Sequence, residues 1–225
     1  MTARAALPAA PPASPHATAR TQARNRHTAL LEAAAHVFRR HGFALTTMRD
    51  IAAATGMTAG SIYYHYPSKG DLLLAVYAEG VRRVGEAFDA AVAKPGDAWT
   101  RLRRGVTAHL RMMAGLAPGD APFARVFVQV QPHDFPPEHH DELIALRNGY
   151  EAKFRALIDA LPLRRGVDRT LLRLQLIGAL NHVPTWYRAD GARSLEVIAA
   201  AAVRNLQAGV GPRVAAHRGY GARRV

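Results

Sequence analysis

Residues 47–72, TMRDIAAATGMTAGSIYYHYPSKGDL, leave the backbone few choices. Thr47 is followed three residues on by Asp50, and Ser68 by Asp71. Each pair joins a hydroxyl N-cap to a carboxylate placed at the third helical position, which marks a helix start. Gly56 permits a tight left-handed turn, and Pro67 lacks a backbone donor, so neither belongs inside one long helix. The spacing predicts a short helix over 48–55 that buries Met48, Ile51 and Ala52. A second begins at Ala59 or Gly60 and ends before Pro67, and a longer one starts at Ser68. Two short helices about a glycine-containing turn make a helix-turn-helix over 47–66.

The rest of the chain extends this to an all-α fold, because apolar residues recur at helical spacing and no alternating strand pattern stands out. Leu30, Leu31, Ala34, Val37 and Phe38 form one face of a helix predicted over 23–41, with Gly42 ending it. The helix from Ser68 carries Leu72, Leu73, Val76, Tyr77, Val81, Val84 and Phe88 toward Ala93. Further helices are predicted over 97–116, 121–131, 138–161, 168–187 and 194–208, separated by proline and glycine. This divides the chain into a tail (1–22), a three-helix domain carrying the helix-turn-helix (24–84), a helical body (85–210) and a second tail (211–225).

Charge narrows the partner. The net charge is +13, made of +6 in residues 1–84, +3 in 85–210 and +4 in the last stretch. Basic ends suit a polyanion, most simply nucleic acid. Yet only three of the 30 basic residues are lysine, and heavy Arg and Ala use can also reflect a GC-rich genome. The absence of cysteine excludes disulfides and thiol chemistry and fits a reducing cytoplasm. No apolar run is long enough to span a membrane. The proline-broken N-terminus reads as a disordered tail, not a signal peptide.

The run Tyr63-Tyr64-His65-Tyr66 is explained if the second short helix enters a major groove. Its first residues must be small, and Thr58, Ala59, Gly60 and Ser61 are. Tyr63 and Tyr64 are long enough to reach bases or backbone oxygens, His65 can donate to a phosphate, and Lys69 offers an ammonium just past the turn. Ile62 and Tyr66 face the other way and pack inward, while Tyr63 lies between the two roles. Arg49 is either a backbone contact or part of a solvated face. Arg20, Arg24 and Arg26 form either a DNA-binding arm or a charged tail, and Arg213, Arg218, Arg223 and Arg224 suit non-specific attraction.

The stretch Gly56-Met57-Thr58-Ala59-Gly60-Ser61-Ile62-Tyr63-Tyr64-His65-Tyr66-Pro67-Ser68-Lys69, with AAAHVFRRHGFALTTMRDIAAATGMT upstream, resembles the TetR family of bacterial transcription regulators. The resemblance covers residues 24–84. It implies that Thr47, Thr58, Tyr64, His65 and Lys69 touch phosphates while Gly60, Ser61, Tyr63 and Tyr64 meet base edges. Two departures are Tyr66 for the usual Phe, and Gly70 where an acidic residue is common, which weakens the start of its helix. The resemblance also implies a homodimer on a double-stranded DNA operator and an all-helical C-terminal domain that binds a small effector. The last two helices would then form a four-helix dimer interface. Effector binding would change the spacing of the two reading heads, with the helix from Lys69 to Ala93 as the lever. Repression is the family habit.

A shorter run, GALNHVPTWYRADGARSLEVIA, resembles regulators of sterol and fatty-acid catabolism that answer to acyl-CoA thioesters. Pro184 departs from that pattern. The likeness implies that His182 and Trp186 line an effector site, with Trp186 also fitting a dimer core. HDFPPEHHDE holds metal-capable side chains, but its spacing matches no zinc pattern and it reads as a solvated loop. No phosphate loop, nucleophile elbow or zinc-protease motif is present. An enzyme is not expected, and no cofactor is called for.

Overall fold

The computed structural model describes residues 15–116, 121–130 and 132–211. Among these, the chain forms α1 (Pro15–Leu45), α2 (Met48–Thr55), α3 (Ala59–His65), α4 (Lys69–Val92), α5 (Ala98–Met113), α6 (Ala121–Gln129), α7 (His140–Asp159), α8 (Arg169–Trp186) and α9 (Leu195–Val210). Two 3₁₀ turns, Pro132–Asp134 and Pro137–His139, precede α7. No strand occurs among the described residues.

The capping signals act as the sequence predicts. Thr47 Oγ1 accepts from the Asp50 amide at 3.2 Å while Asp50 Oδ2 accepts from the Thr47 amide at 2.8 Å. Ser68 and Asp71 repeat the arrangement at the start of α4, at 3.1 and 2.8 Å. Gly56 closes α2 with φ 67°. The interior turn of α1 at Gly42 (φ 75°) breaks its helical backbone, so the regular helix ends where the sequence places it.

One boundary differs. α1 begins at Pro15, so residues 15–22, expected as part of a disordered tail, are helical. Proline is compatible with the first position of a helix, where its missing N–H has no partner to lose. Residues 1–14 lie outside the described residues, as does the second expected tail (211–225) beyond Gly211.

The N-terminal core joins Leu30, Leu31, Ala34, Ala35 and Phe38 of α1 to Met48 and Ile51 of α2, Ile62 of α3, and Leu72, Leu73 and Val76 of α4. α4 then runs on into the second domain, where Phe88 packs with Leu102, Val106, Phe154 and Leu157. Close approach there depends on Gly105, since a Cβ at that position would sit 2.8 Å from the Phe88 ring. Arg83 of α4 binds the domains together. It reaches Glu32 of α1 at 2.9 Å and Glu79 at 2.7 Å, and stacks 4.4 Å from the Phe123 ring of α6.

Candidate nucleic-acid interface and ligand cavity

The α3 face is assembled by one buried residue and several exposed ones. Ile62 is fully buried and anchors the helix, and Thr58 caps its start by accepting from the Ser61 amide at 3.2 Å. With that side fixed, Tyr64 stands 85% exposed and Tyr63 49% exposed. His65 is exposed and meets the Tyr64 ring edge-on at 5.2 Å. Gly60 and Ser61 are exposed, and a Cβ on Gly60 would meet open space. Ala59 is half-buried. Thr47 and Arg49 are exposed at the start of α2, though the Thr47 hydroxyl already donates to Asp50 at 2.7 Å. Large polar-tipped rings left in water on a short, capped helix make this face the candidate contact surface.

Two residues behave in ways the sequence does not reveal. Lys69 is half-buried, and its ammonium donates to the carbonyls of Phe43 (2.7 Å), Ala44 (3.3 Å) and Thr46 (2.9 Å). It also lies 4.4 Å from the Phe43 ring centroid. It thus satisfies acceptors in the last turn of α1 and in its link to α2, and bolts both to the start of α4. Tyr66 is half-buried as expected, but its hydroxyl pairs with His27 of α1 at 2.6 Å, and burial pushes its pKa up. Thr46, which the sequence reading passes over, is buried and donates to the Gly42 carbonyl at 2.7 Å.

The second site is a cavity of about 510 Å³ between α4, α5, α7 and α8. His109 lies at its floor, fully buried. Its Nδ1 accepts from the Tyr150 hydroxyl at 2.9 Å, and its Nε2 donates to Asn181 Oδ1 at 3.1 Å. Desolvation holds the His109 pKa down to about 4, against a smaller upward pull from Asn181. The imidazole is therefore neutral at physiological pH and serves as a relay of hydrogen bonds. Burial also raises the Tyr150 pKa, so its phenol keeps its proton. Arg147 donates to the Tyr77 hydroxyl at 3.0 Å, and Glu151 holds Arg173, which is itself buried. Met113 and Ile177 add apolar lining.

Of the two residues expected at an effector site, His182 lines this cavity, whereas Trp186 is not part of its lining and is 53% exposed. His109, Tyr150 and Asn181 were missed. They lie on three different helices, and no local pattern joins them. Among the described residues no group of His, Asp and Glu gathers into a metal site, the HDFPPEHHDE segment included. No helix among them is long and apolar enough to cross a membrane.

Comparison with known proteins agrees with this anatomy. The family described as bacterial regulatory proteins, tetR family, matches residues 30–76. The tetracyclin repressor-like C-terminal domain matches residues 95–210. The fatty acid metabolism regulator protein of Bacillus subtilis (strain 168) is 21% identical over 194 residues, 84% of this chain and 97% of that one. The solved structure of superantigen PfiT is 32% identical, covers 78% of this chain and 93% of its own, and superposes with a TM-score of 0.68. AibR, solved with isovaleryl coenzyme A and operator DNA, is 25% identical over 79% of this chain and 96% of its own, with a TM-score of 0.68.

Proposed function

The chain belongs to the TetR family of bacterial regulatory proteins, and from that premise we propose that it is a homodimeric repressor released from a palindromic operator by a small effector. The observation that carries the reading is the α3 face, with Tyr64 at 85% exposure beside Tyr63, His65, Gly60 and Ser61. In this reading Gly60, Ser61 and Tyr63 meet base edges, while Thr58, Tyr64 and His65 grip phosphates, with Thr47 and Arg49 flanking them. Lys69 acts from behind, by holding the link between α1 and α2 against α4.

The dimer is supported by exposed apolar side chains on α8 and α9. Leu171 (56%), Leu174 (48%), Trp186 (53%) and Val197 (47%) lie on helices whose other faces fill the core. A second copy covering them would remove apolar surface from water. It would also hold two α3 helices about one turn of B-DNA, roughly 34 Å, apart.

The effector would enter the cavity around His109. Its volume falls in the range that small ligands use, and its lining mixes apolar walls with a few fixed polar groups. An acyl-CoA thioester is the candidate class. Its support is the likeness of this chain to AibR, which was solved with isovaleryl coenzyme A. At about 510 Å³ the cavity would hold a short acyl chain and its thioester, with Asn181 and His182 among its lining. The nucleotide end of such a ligand would extend outside.

The test is fluorescence anisotropy on DNA from upstream of the protein's own gene, across a salt series, with and without isovaleryl-CoA and stearoyl-CoA. The proposal expects selective binding that weakens steeply with salt and is released by a thioester. Selective binding indifferent to both thioesters removes the acyl-CoA part. Equal binding to scrambled DNA contradicts the operator reading.

A further inference from the structure

A second cavity, between the C-terminal half of α4 and α5, gathers positive charge that neither the α3 face nor the α8–α9 face uses. Its volume is about 510 Å³, and its lining holds four basic residues, Lys94, Arg103, Arg104 and Arg111, and one acidic residue, Glu196 at the start of α9. That formal +3 is as large as the net charge of the whole body, residues 85–210. The cavity shares no lining residue with the one around His109. α5 separates the two: Ala108 and Met112 line this cavity, and His109 and Met113 line the other.

Little of this charge is neutralised within the protein. Arg111 pairs with Glu196 at 2.7 Å, which engages the only carboxylate of the lining. Arg104 is half-buried, and its Nη1 donates to the carbonyls of Lys94 and Pro95, both at 2.8 Å. Those carbonyls belong to the turn after α4, so the guanidinium is fixed by backbone and not by an acid. Gly96 leaves room for this seat, since a Cβ there would lie 3.2 Å from Arg104 Nη1. The side chains of Lys94 and Arg103 are exposed and make no hydrogen bond or ion pair among the described residues. Asp97, which Arg103 attracts, is engaged in capping α5, where it accepts from the Thr100 amide at 2.7 Å.

Apart from Thr107, the rest of the lining is apolar: Ala87 and Ala91 of α4, and Ala108 and Met112 of α5. From this combination we infer that the α4–α5 cavity is a second ligand site, one that takes a nucleoside diphosphate or triphosphate. Arg104 supplies a fixed guanidinium fork for a phosphate, and Lys94 and Arg103 close on the same group from the rim. The base and sugar cover the alanines and Met112, which free phosphate would leave bare. No carboxylate or amide of the lining is free to read one base, so the site selects for phosphate charge and an attached body. The inference is independent of the operator reading, because it needs neither DNA nor the His109 cavity.

The test is isothermal titration calorimetry of the full chain, without DNA, using ADP, pyrophosphate and adenosine. Wild type is compared with Arg103→Ala, Arg104→Met and Arg101→Ala. Arg104→Met also strips two carbonyls of their donor, so Arg103→Ala carries the test if that variant does not fold. Arg101 is an exposed residue of α5 outside the cavity lining. Arg101→Ala removes the same charge as Arg103→Ala and controls for general attraction of anions to a basic protein.

The expected result is saturable binding of one ADP per chain, tighter than that of pyrophosphate, with none measurable for adenosine. Arg103→Ala and Arg104→Met should each weaken ADP by roughly tenfold, and Arg101→Ala should bind it as wild type does. No saturable binding of ADP overturns the site. Binding that Arg103→Ala leaves unchanged, or that Arg101→Ala weakens equally, overturns its placement between α4 and α5. Pyrophosphate bound as tightly as ADP overturns the nucleotide class.

Discussion

Tyr64 and Lys69 carry the same expectation in the sequence and meet opposite surroundings in the structure. Tyr64 is 85% exposed, and its ring meets the exposed His65 ring edge-on. Tyr64→Ala should leave thermal stability within about 0.5 kcal/mol of wild type while weakening operator binding at least tenfold, read by melting curves beside anisotropy. Lys69 instead donates to three backbone carbonyls. Lys69→Met keeps the alkyl stem over Phe43 but removes those charged bonds, and should destabilise the fold by about 1–3 kcal/mol. A sequence cannot separate these two cases, because the carbonyls that capture Lys69 lie far back along the chain. His109 is hidden for the same reason, and it makes a prediction in pH. Its pKa is held down to about 4 in the fold and returns to about 6.5 on unfolding. The unfolded chain therefore binds more protons between those values. The stability from keeping His109 neutral is full above pH 6.5 and is lost as pH falls toward 4, by roughly 3 kcal/mol at most. Denaturant melts across that window should show a shallower loss in His109→Gln.

At the scale of elements, the helix-turn-helix was legible because its punctuation is local. Thr47, Asp50, Gly56, Ser68 and Asp71 each act within a few residues, and each does in the structure what its spacing predicts. Ser68→Ala should accordingly cost about 1 kcal/mol, seen in chemical denaturation. Two elements were not legible. The start of α1 was lost because Pro15 reads as a breaker when it is the first residue of the helix. The segment before α7 was read as solvated because its residues are histidine, proline and acid. Phe135 and His139 are nevertheless buried, by contacts with α4 that no periodicity encodes.

For the whole molecule, the all-α architecture follows from apolar spacing, but the cavity and the exposed apolar face proposed to pair two copies follow from which helix faces remain after packing. α8 shows this directly. Leu172, Leu176, Leu180 and Val183 are buried while Leu171, Leu174 and Trp186 stay exposed. A sequence reading sees two apolar stripes on α8 and cannot say which meets the core and which stays exposed. Leu174→Asp should yield a folded monomer that no longer binds its operator, checked by sedimentation and circular dichroism. The central claim is that two copies of the α3 face read one palindromic site. The most direct measurement is selection of duplexes from a random-sequence library by the purified protein, repeated with Tyr64→Ala. The account predicts enrichment of a palindrome by the wild type and none by the variant, although the variant folds normally. Enrichment of the same palindrome by both would contradict the role given to α3, and no enrichment by the wild type would contradict the claim that this protein reads DNA sequence.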